Sequence, residues 1–182
     1  LVALAKAKPG ALNFASVGTG TSPHLGGELF QSLAGIKLVH VPYKGTAPAV
    51  TDLISGQVHI MFTSMPTVLA HVQAGRLRLL GTGGAKRSAV IPDAPPIAET
   101  LPGFDLVTWY GIFAPARTPD AIIRRLNSEI VKALTDPESH GRLAAQGLEP
   151  VPMTPEELKR YTQQDSSRWA RLIKAAGIGR DK

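Results

Sequence analysis

The run Gly18-Thr19-Gly20-Thr21-Ser22-Pro23-His24 holds the residues best suited to chemistry in this chain. Glycines let a backbone turn its N–H groups inward, and a helix beginning just afterwards adds unpaired donors and a partial positive charge. The hydroxyls of Thr19, Thr21 and Ser22 supply more donors. Such a loop suits a carboxylate or a phosphate. A plain tight turn with Ser22 as helix cap is the equally open structural reading. No Gly-Lys-Ser/Thr follows at P-loop spacing. As a dinucleotide fingerprint the loop is poor: Gly18 and Gly20 fit, but Pro23 stands at the third glycine position. The next strand also ends in Tyr43-Lys44 rather than in a ribose-holding acid. Lys44 facing a 2′-phosphate keeps an NAD(P)-dependent oxidoreductase domain as the alternative use of Gly18–Ser22.

Other strand ends carry polar groups that can share a rim with this loop: Tyr43-Lys44-Gly45, Thr63-Ser64 and Thr82-Gly83-Gly84. Ligands of open α/β sheets sit at the carboxyl ends of strands, which is where these segments are expected. Taken singly, Ser64 or Thr63 is as well explained by helix capping, and Lys44 by a solvated charge. His24 falls in the first turn after the glycine loop, where the helix dipole disfavours imidazolium. A neutral N–H toward a ligand and simple packing are its two readings. His40 and His59 are expected to be ordinary strand residues. The five histidines show no His-x-His or His-x-x-x-His spacing and no matching acids, so no metal is expected, and no cofactor is implied. A Gly-x-Ser-x-Gly elbow is absent.

These groups need a scaffold of alternating strands and helices. Leu12 to Val17 reads as a strand. Ser22 as N-cap and Pro23 at the first position open a helix that closes on Gly35. Lys37 to Val41, Val58 to Phe62 and Leu77 to Gly81 read as further strands, with helices ending near Gly56 and Gly75 between them. This alternation predicts an open, mainly parallel sheet with flanking helices. Four prolines between Lys86 and Phe104 argue for loop, with a short helix near Ala98. Val107 to Ala114 reads as a fifth strand. Thr118-Pro119-Asp120 opens an amphipathic helix, Asp136-Pro137-Glu138 a shorter one ended by Gly147, and the capping box Thr154-Pro155-Glu156-Glu157 a last one running to Ala176 before Gly177.

At 182 residues and 43% hydrophobic content the chain can bury a core without staples, and it is not disordered. Zero cysteines exclude disulfides, thiolate zinc and a Cys nucleophile. No apolar run reaches the roughly 20 residues of a membrane span. The net charge of +6 is uneven: up to Gly103 there are eight Lys and Arg against four Asp and Glu, and beyond it twelve against ten. A basic first part bearing an anion-type loop fits a small acidic ligand. Nucleic acid is disfavoured, since the basic residues are dispersed and aromatics make only 5%. The opening Leu1 to Lys8 has helix-favouring residues but no cap, which reads either as the tail of a helix begun upstream or as a frayed start.

Taken together, these stretches resemble the substrate-binding receptors of tripartite tricarboxylate transporters, the Bug receptors. The matching strings are residues 12–25, His40 to Pro48, Asp52 to Val58, Lys86-Arg87-Ser88, Pro92 to Glu99, Trp109-Tyr110-Gly111, Pro119 to Asn127 and Ala175 to Ile178. The resemblance implies a type II periplasmic-binding-protein-like fold, two α/β lobes closing on a small carboxylate that is handed to membrane permease subunits without catalysis. On that plan 1–105 is the second lobe and 106–182 the C-terminal part of the first, whose N-terminal part has no counterpart in the sequence. The resemblance also implies a periplasmic location. It makes Gly18 to Ser22 the loop that approaches the carboxylate and Tyr43-Lys44 its neighbour. Members commonly carry an acid where Thr63 stands, before a small polar residue at Ser64; losing it disfavours amine-bearing ligands and leaves simple di- or tricarboxylates.

Overall fold

A computed structural model describes residues 1–176. The first helix, α1 (Val2–Ala7), buries Ala5 and leads through Gly10 into β1 (Asn13–Ser16). Then follow α2 (Ser22–Ala34), β2 (Val39–Pro42), α3 (Thr46–Ser55), β3 (Ile60–Met61) and α4 (Met65–Gln73). After a long irregular stretch with one 3-10 turn at Ile97–Glu99 come α5 (Asp120–Thr135), α6 (Pro137–Ala144) and α7 (Pro155–Ala176).

The sheet is parallel, in the order β2-β1-β3. Phe14 pairs with His40 on one side of β1 and with Ile60 on the other. As the central strand, β1 is covered on both faces, and the alternation of side chains sorts its residues. Phe14 joins Leu12, Phe30, Leu38, Ile60 and Phe104 in the larger core, against α2. Ala15 points the other way, into a second cluster with Ala49 of α3 and Val58. The close approach of α2 depends on Gly27, where a Cβ would stand 2.1 Å from the Phe14 ring.

The strand–helix alternation through α4 matches the sequence expectation, with shorter strands. The expected strand at Leu77 to Gly81 is absent, leaving an isolated bridge from Thr82 to Pro96. Val107 to Ala114 has no regular secondary structure and joins no ladder among the described residues, and Tyr110, Ile112 and Phe113 are largely exposed. Both segments have the composition of strands, but a strand is defined by its neighbour's hydrogen bonds, and neither has one. At the start of α2 the N-cap is Thr21, not Ser22, which is the first helical residue. Pro119, not Thr118, precedes α5. The other caps follow the expectation. Asp136 Oδ2 accepts the Ser139 N–H at 2.9 Å. Thr154 and Glu157 bond reciprocally, at 2.8 and 3.2 Å. Helix α6 ends at Ala144, three residues before Gly147. The stop at Gly177 lies outside the described residues.

Helix α7 packs against α2 and α5. Its Arg168 holds the Asp105 carboxylate and backbone carbonyl, and its Asp165 accepts the Trp109 indole N–H at 3.0 Å. The C-terminal helix thereby fastens both ends of residues 105–109. No described helix is long and apolar enough to cross a membrane.

Candidate functional site

Because the three strands run parallel, the loops after β1, β2 and β3 open on one edge of the sheet. Helix α2 carries the chain from β1 to β2 on one side, whereas β3 lies on the other side of β1. The connections therefore diverge beside β1, and in open α/β sheets ligands sit at the carboxyl edge beside such a divergence. Gly18 to Ser22 follows β1, Tyr43-Lys44 follows β2 and Thr63-Ser64 follows β3.

The glycine loop is tightly self-bonded. Gly18 has φ +129° and Gly20 φ +79°, values that L side chains adopt only with strain. The Gly18 N–H donates to Ser16 Oγ at 3.1 Å, the Gly20 N–H to His24 Nδ1 at 3.0 Å and the Thr21 N–H to the Gly18 carbonyl at 3.4 Å. The Thr21 hydroxyl donates to the same carbonyl at 2.6 Å. Gly18, Gly20 and Thr21 thus spend the donors that the sequence reading left for a ligand. They set the loop's shape instead. The N–H groups of Thr19, Ser22 and His24 have no protein partner among the described residues, and Thr19 and Ser22 are exposed. The open donors are fewer than the sequence suggests, three amides and two hydroxyls at the head of a 13-residue helix among the described residues.

The buried His24 ring stacks on His40 at 4.0 Å between centroids, and His40 in turn stacks on Phe14 at 5.0 Å. His40 Nε2 lies 2.6 Å from Ser16 Oγ. Burial holds both imidazoles below their ordinary value, His40 to about 4; the neighbouring His24 adds to the effect on His40, while Glu28 partly opposes it on His24. Sequence reasoning treated His40 as an ordinary strand residue. Only the register that sets it beside Phe14, and under the first turn of α2, brings it to the loop.

Tyr43 donates its phenol to Asp52 at 2.8 Å, which pushes the phenol pKa up, and its N–H to the Ser16 carbonyl at 2.9 Å. Tyr43 therefore braces α3 against the strand end. Lys44 is exposed. Ser64 precedes α4 and its hydroxyl meets Thr67 Oγ1 at 3.0 Å; Thr63 is half-buried. Thr82-Gly83-Gly84 does not sit at a strand end as expected: the Gly83 carbonyl accepts the Leu106 N–H at 2.8 Å and the turn packs on that segment. Among the described residues no group of His, Cys, Asp and Glu is arranged to hold a metal ion.

An anion-type helix terminus on a parallel sheet belongs to many proteins, and comparison decides among them. The family model of the tripartite tricarboxylate transporter family receptor matches residues 1–178. This chain belongs to that family. Among its relatives is Protein BugT of Bordetella pertussis, 38% identical over 97% of this chain and 55% of its own length. Similar solved structures include an R. palustris protein with adipate, at TM-score 0.90 and 32% identity, covering 97% of this chain and 60% of that one. The periplasmic binding protein BugD follows at 0.82 and 30%, with 97% and 60% covered. MatC from Rhodopseudomonas palustris with bound malate stands at 0.80 and 30%, with 94% and 60% covered. The fold is therefore that of the Bug receptors, solute-binding proteins of the α/β type. The chain spans little more than half the length of these relatives.

Proposed function

We propose that this chain forms part of a periplasmic receptor that captures a small di- or tricarboxylate and delivers it to the permease of a tripartite tricarboxylate-type transporter. Residues 1–105 form the second of two lobes and 106–182 the C-terminal part of the first. The observation that carries the reading is the trio of amides with no partner among the described residues, Thr19, Ser22 and His24, at the start of α2 on the carboxyl edge of the sheet. A carboxylate accepting such N–H groups forms charge-assisted bonds, each contributing about 1.5–3 kcal/mol. The helix terminus adds roughly 0.3–1 kcal/mol. The Thr19 and Ser22 hydroxyls and the Lys44 ammonium complete an anion-binding site, with Tyr43, Thr63 and Ser64 on its rim. Adipate and malate, found with the similar structures, are both dicarboxylates. Binding follows from closure of the two lobes, which the ligand favours only by contacts made in the closed form.

Calorimetric titration of the intact receptor against adipate, malate, a monocarboxylate and a nicotinamide dinucleotide tests this. Dicarboxylates should bind with affinities at least tenfold above the monocarboxylate. Binding of the dinucleotide with no carboxylate response would replace the reading with the oxidoreductase one.

A further inference from the structure

Two imidazoles meet at the loop, His24 bonding it directly and His40 through the Ser16 hydroxyl. His24 rises from the first turn of α2 and His40 from β2, and the rings are nearly parallel, with 19° between their planes. Because His24 Nδ1 accepts the Gly20 N–H, its proton resides on Nε2, 3.6 Å from the Glu28 carboxylate. His40 Nε2 and the Gly18 N–H meet at the same hydroxyl, Ser16 Oγ, at 2.6 and 3.1 Å. The stack thereby reaches both glycines. Buried polar rings cost stability unless they are hydrogen-bonded; here His24 bonds the loop directly and His40 bonds the buried Ser16 hydroxyl at the end of β1, which in turn holds Gly18.

We propose that His24 and His40 are positioning residues, a neutral stacked pair that holds Gly20 and Gly18 so that the N–H groups of Thr19, Ser22 and His24 stay available to a carboxylate. The ligand part of this rests on the function proposed above; the loop geometry does not. Protonation of His24 at Nδ1 removes the acceptor for Gly20, and charging both rings sets two cations 4.0 Å apart. The charged or titratable groups facing the pair are Glu28 from α2 and each ring for the other. From β1, Phe14 and Ser16 face it and do not titrate in this range. Glu28, also bonded by Gln31 at 3.1 Å, favours a charged His24 but is outweighed by burial.

The test uses the intact receptor and four variants: His24→Phe keeps a ring and loses the acceptor, His24→Asn restores an acceptor that cannot titrate, and His40→Phe and His40→Gln do the same at the Ser16 end. Circular dichroism selects the variants that fold. Two quantities are read between pH 7.5 and 4.5, the exchange of the Gly20 amide by NMR, taken relative to its intrinsic rate at the same pH, and the affinity for adipate by calorimetry. His24→Phe should speed Gly20 exchange and weaken adipate binding about tenfold each, the effect of one ordinary hydrogen bond. His24→Asn should bring both back to within about threefold of wild type and flatten the pH profile. His40→Gln should outperform His40→Phe in the same way at Gly18. Wild-type protein gives an answer free of substitution: Gly20 protection, the intrinsic exchange rate at each pH divided by the observed one, should fall as His24 protonates, followed by its ring nitrogen shifts. A Gly20 amide that stays protected once His24 is protonated overturns the proposal, as does His24→Asn behaving like His24→Phe. If wild type binds no adipate at any pH, the carboxylate reading fails, and Gly20 exchange alone then decides the positioning role.

Discussion

Replacing Gly27 by alanine sets two effects of opposite sign against each other. Gly27 lies inside α2, where alanine is favoured over glycine by about 1 kcal/mol. Its added Cβ, however, would stand 2.1, 2.5 and 2.6 Å from three carbons of the Phe14 ring. Phe14 is 0% exposed and stacked on His40, so the ring cannot swing into solvent. Overpacking of this kind costs about 1–3 kcal/mol, and contacts this short belong at the upper end. The net expectation is a loss of about 1–2 kcal/mol, or a fall in melting temperature of roughly 2–8 °C for a chain of this size. Gly141→Ala is the control. It too lies in a helix, with nothing within 4 Å of the added carbon, so propensity acts alone. That variant should gain about 0.5–1 kcal/mol. Thermal melts followed by circular dichroism compare the two. Stabilisation of both variants alike would show that α2 does not press on β1 as closely as described, and the account of how Phe14 supports the His40 stack would fall with it.

Acid should destabilise the protein through His40. The unfolded imidazole takes its proton near 6.5 while the folded one resists until about 4, so stability is complete above 6.5 and declines as pH falls through that window. Partial solvent screening limits the loss to about 1–2 kcal/mol, measurable by urea titration at pH 7 and 4.5 and absent in a folded His40→Gln variant. Gly20→Val in the intact receptor should abolish dicarboxylate binding while far-ultraviolet dichroism is unchanged, because φ +79° is closed to a β-branched residue. Unaltered affinity would take the loop out of the site. Thr154→Ala should cost α7 about 1 kcal/mol by opening its capping box. Asp165→Ala should red-shift tryptophan fluorescence by removing the carboxylate that accepts the Trp109 indole N–H.

Local signals were well written in the sequence. Gly35 ends α2 in the left-handed conformation, Asp136 caps α6 and the Thr154–Glu157 box opens α7, each decided by a side chain and a backbone a few residues away. The first three strands and their intervening helices follow from period and punctuation in the same way, and so does the order in which polar loops reach the sheet's carboxyl edge. The segments around Leu77 and Val107 were misjudged because β propensity says only that a residue tolerates a pleated surface. Whether it becomes a strand is settled by another strand's hydrogen bonds, which are not encoded nearby.

The site divides along the same line. Residue types alone marked Gly18 to Ser22 as a turn with donors at a helix head, since glycine's freedom and the helix's unpaired amides are local properties. Two of those donors are taken by side chains close by in sequence, the Gly18 amide by Ser16 and the Gly20 amide by His24; what the tertiary structure adds is His40, which reaches Ser16 across 24 positions. That meeting requires the parallel register of β1 with β2 and a glycine-thin face on α2. Both are products of packing, where many weak contacts summed over the whole core choose the arrangement that no single stretch of sequence specifies.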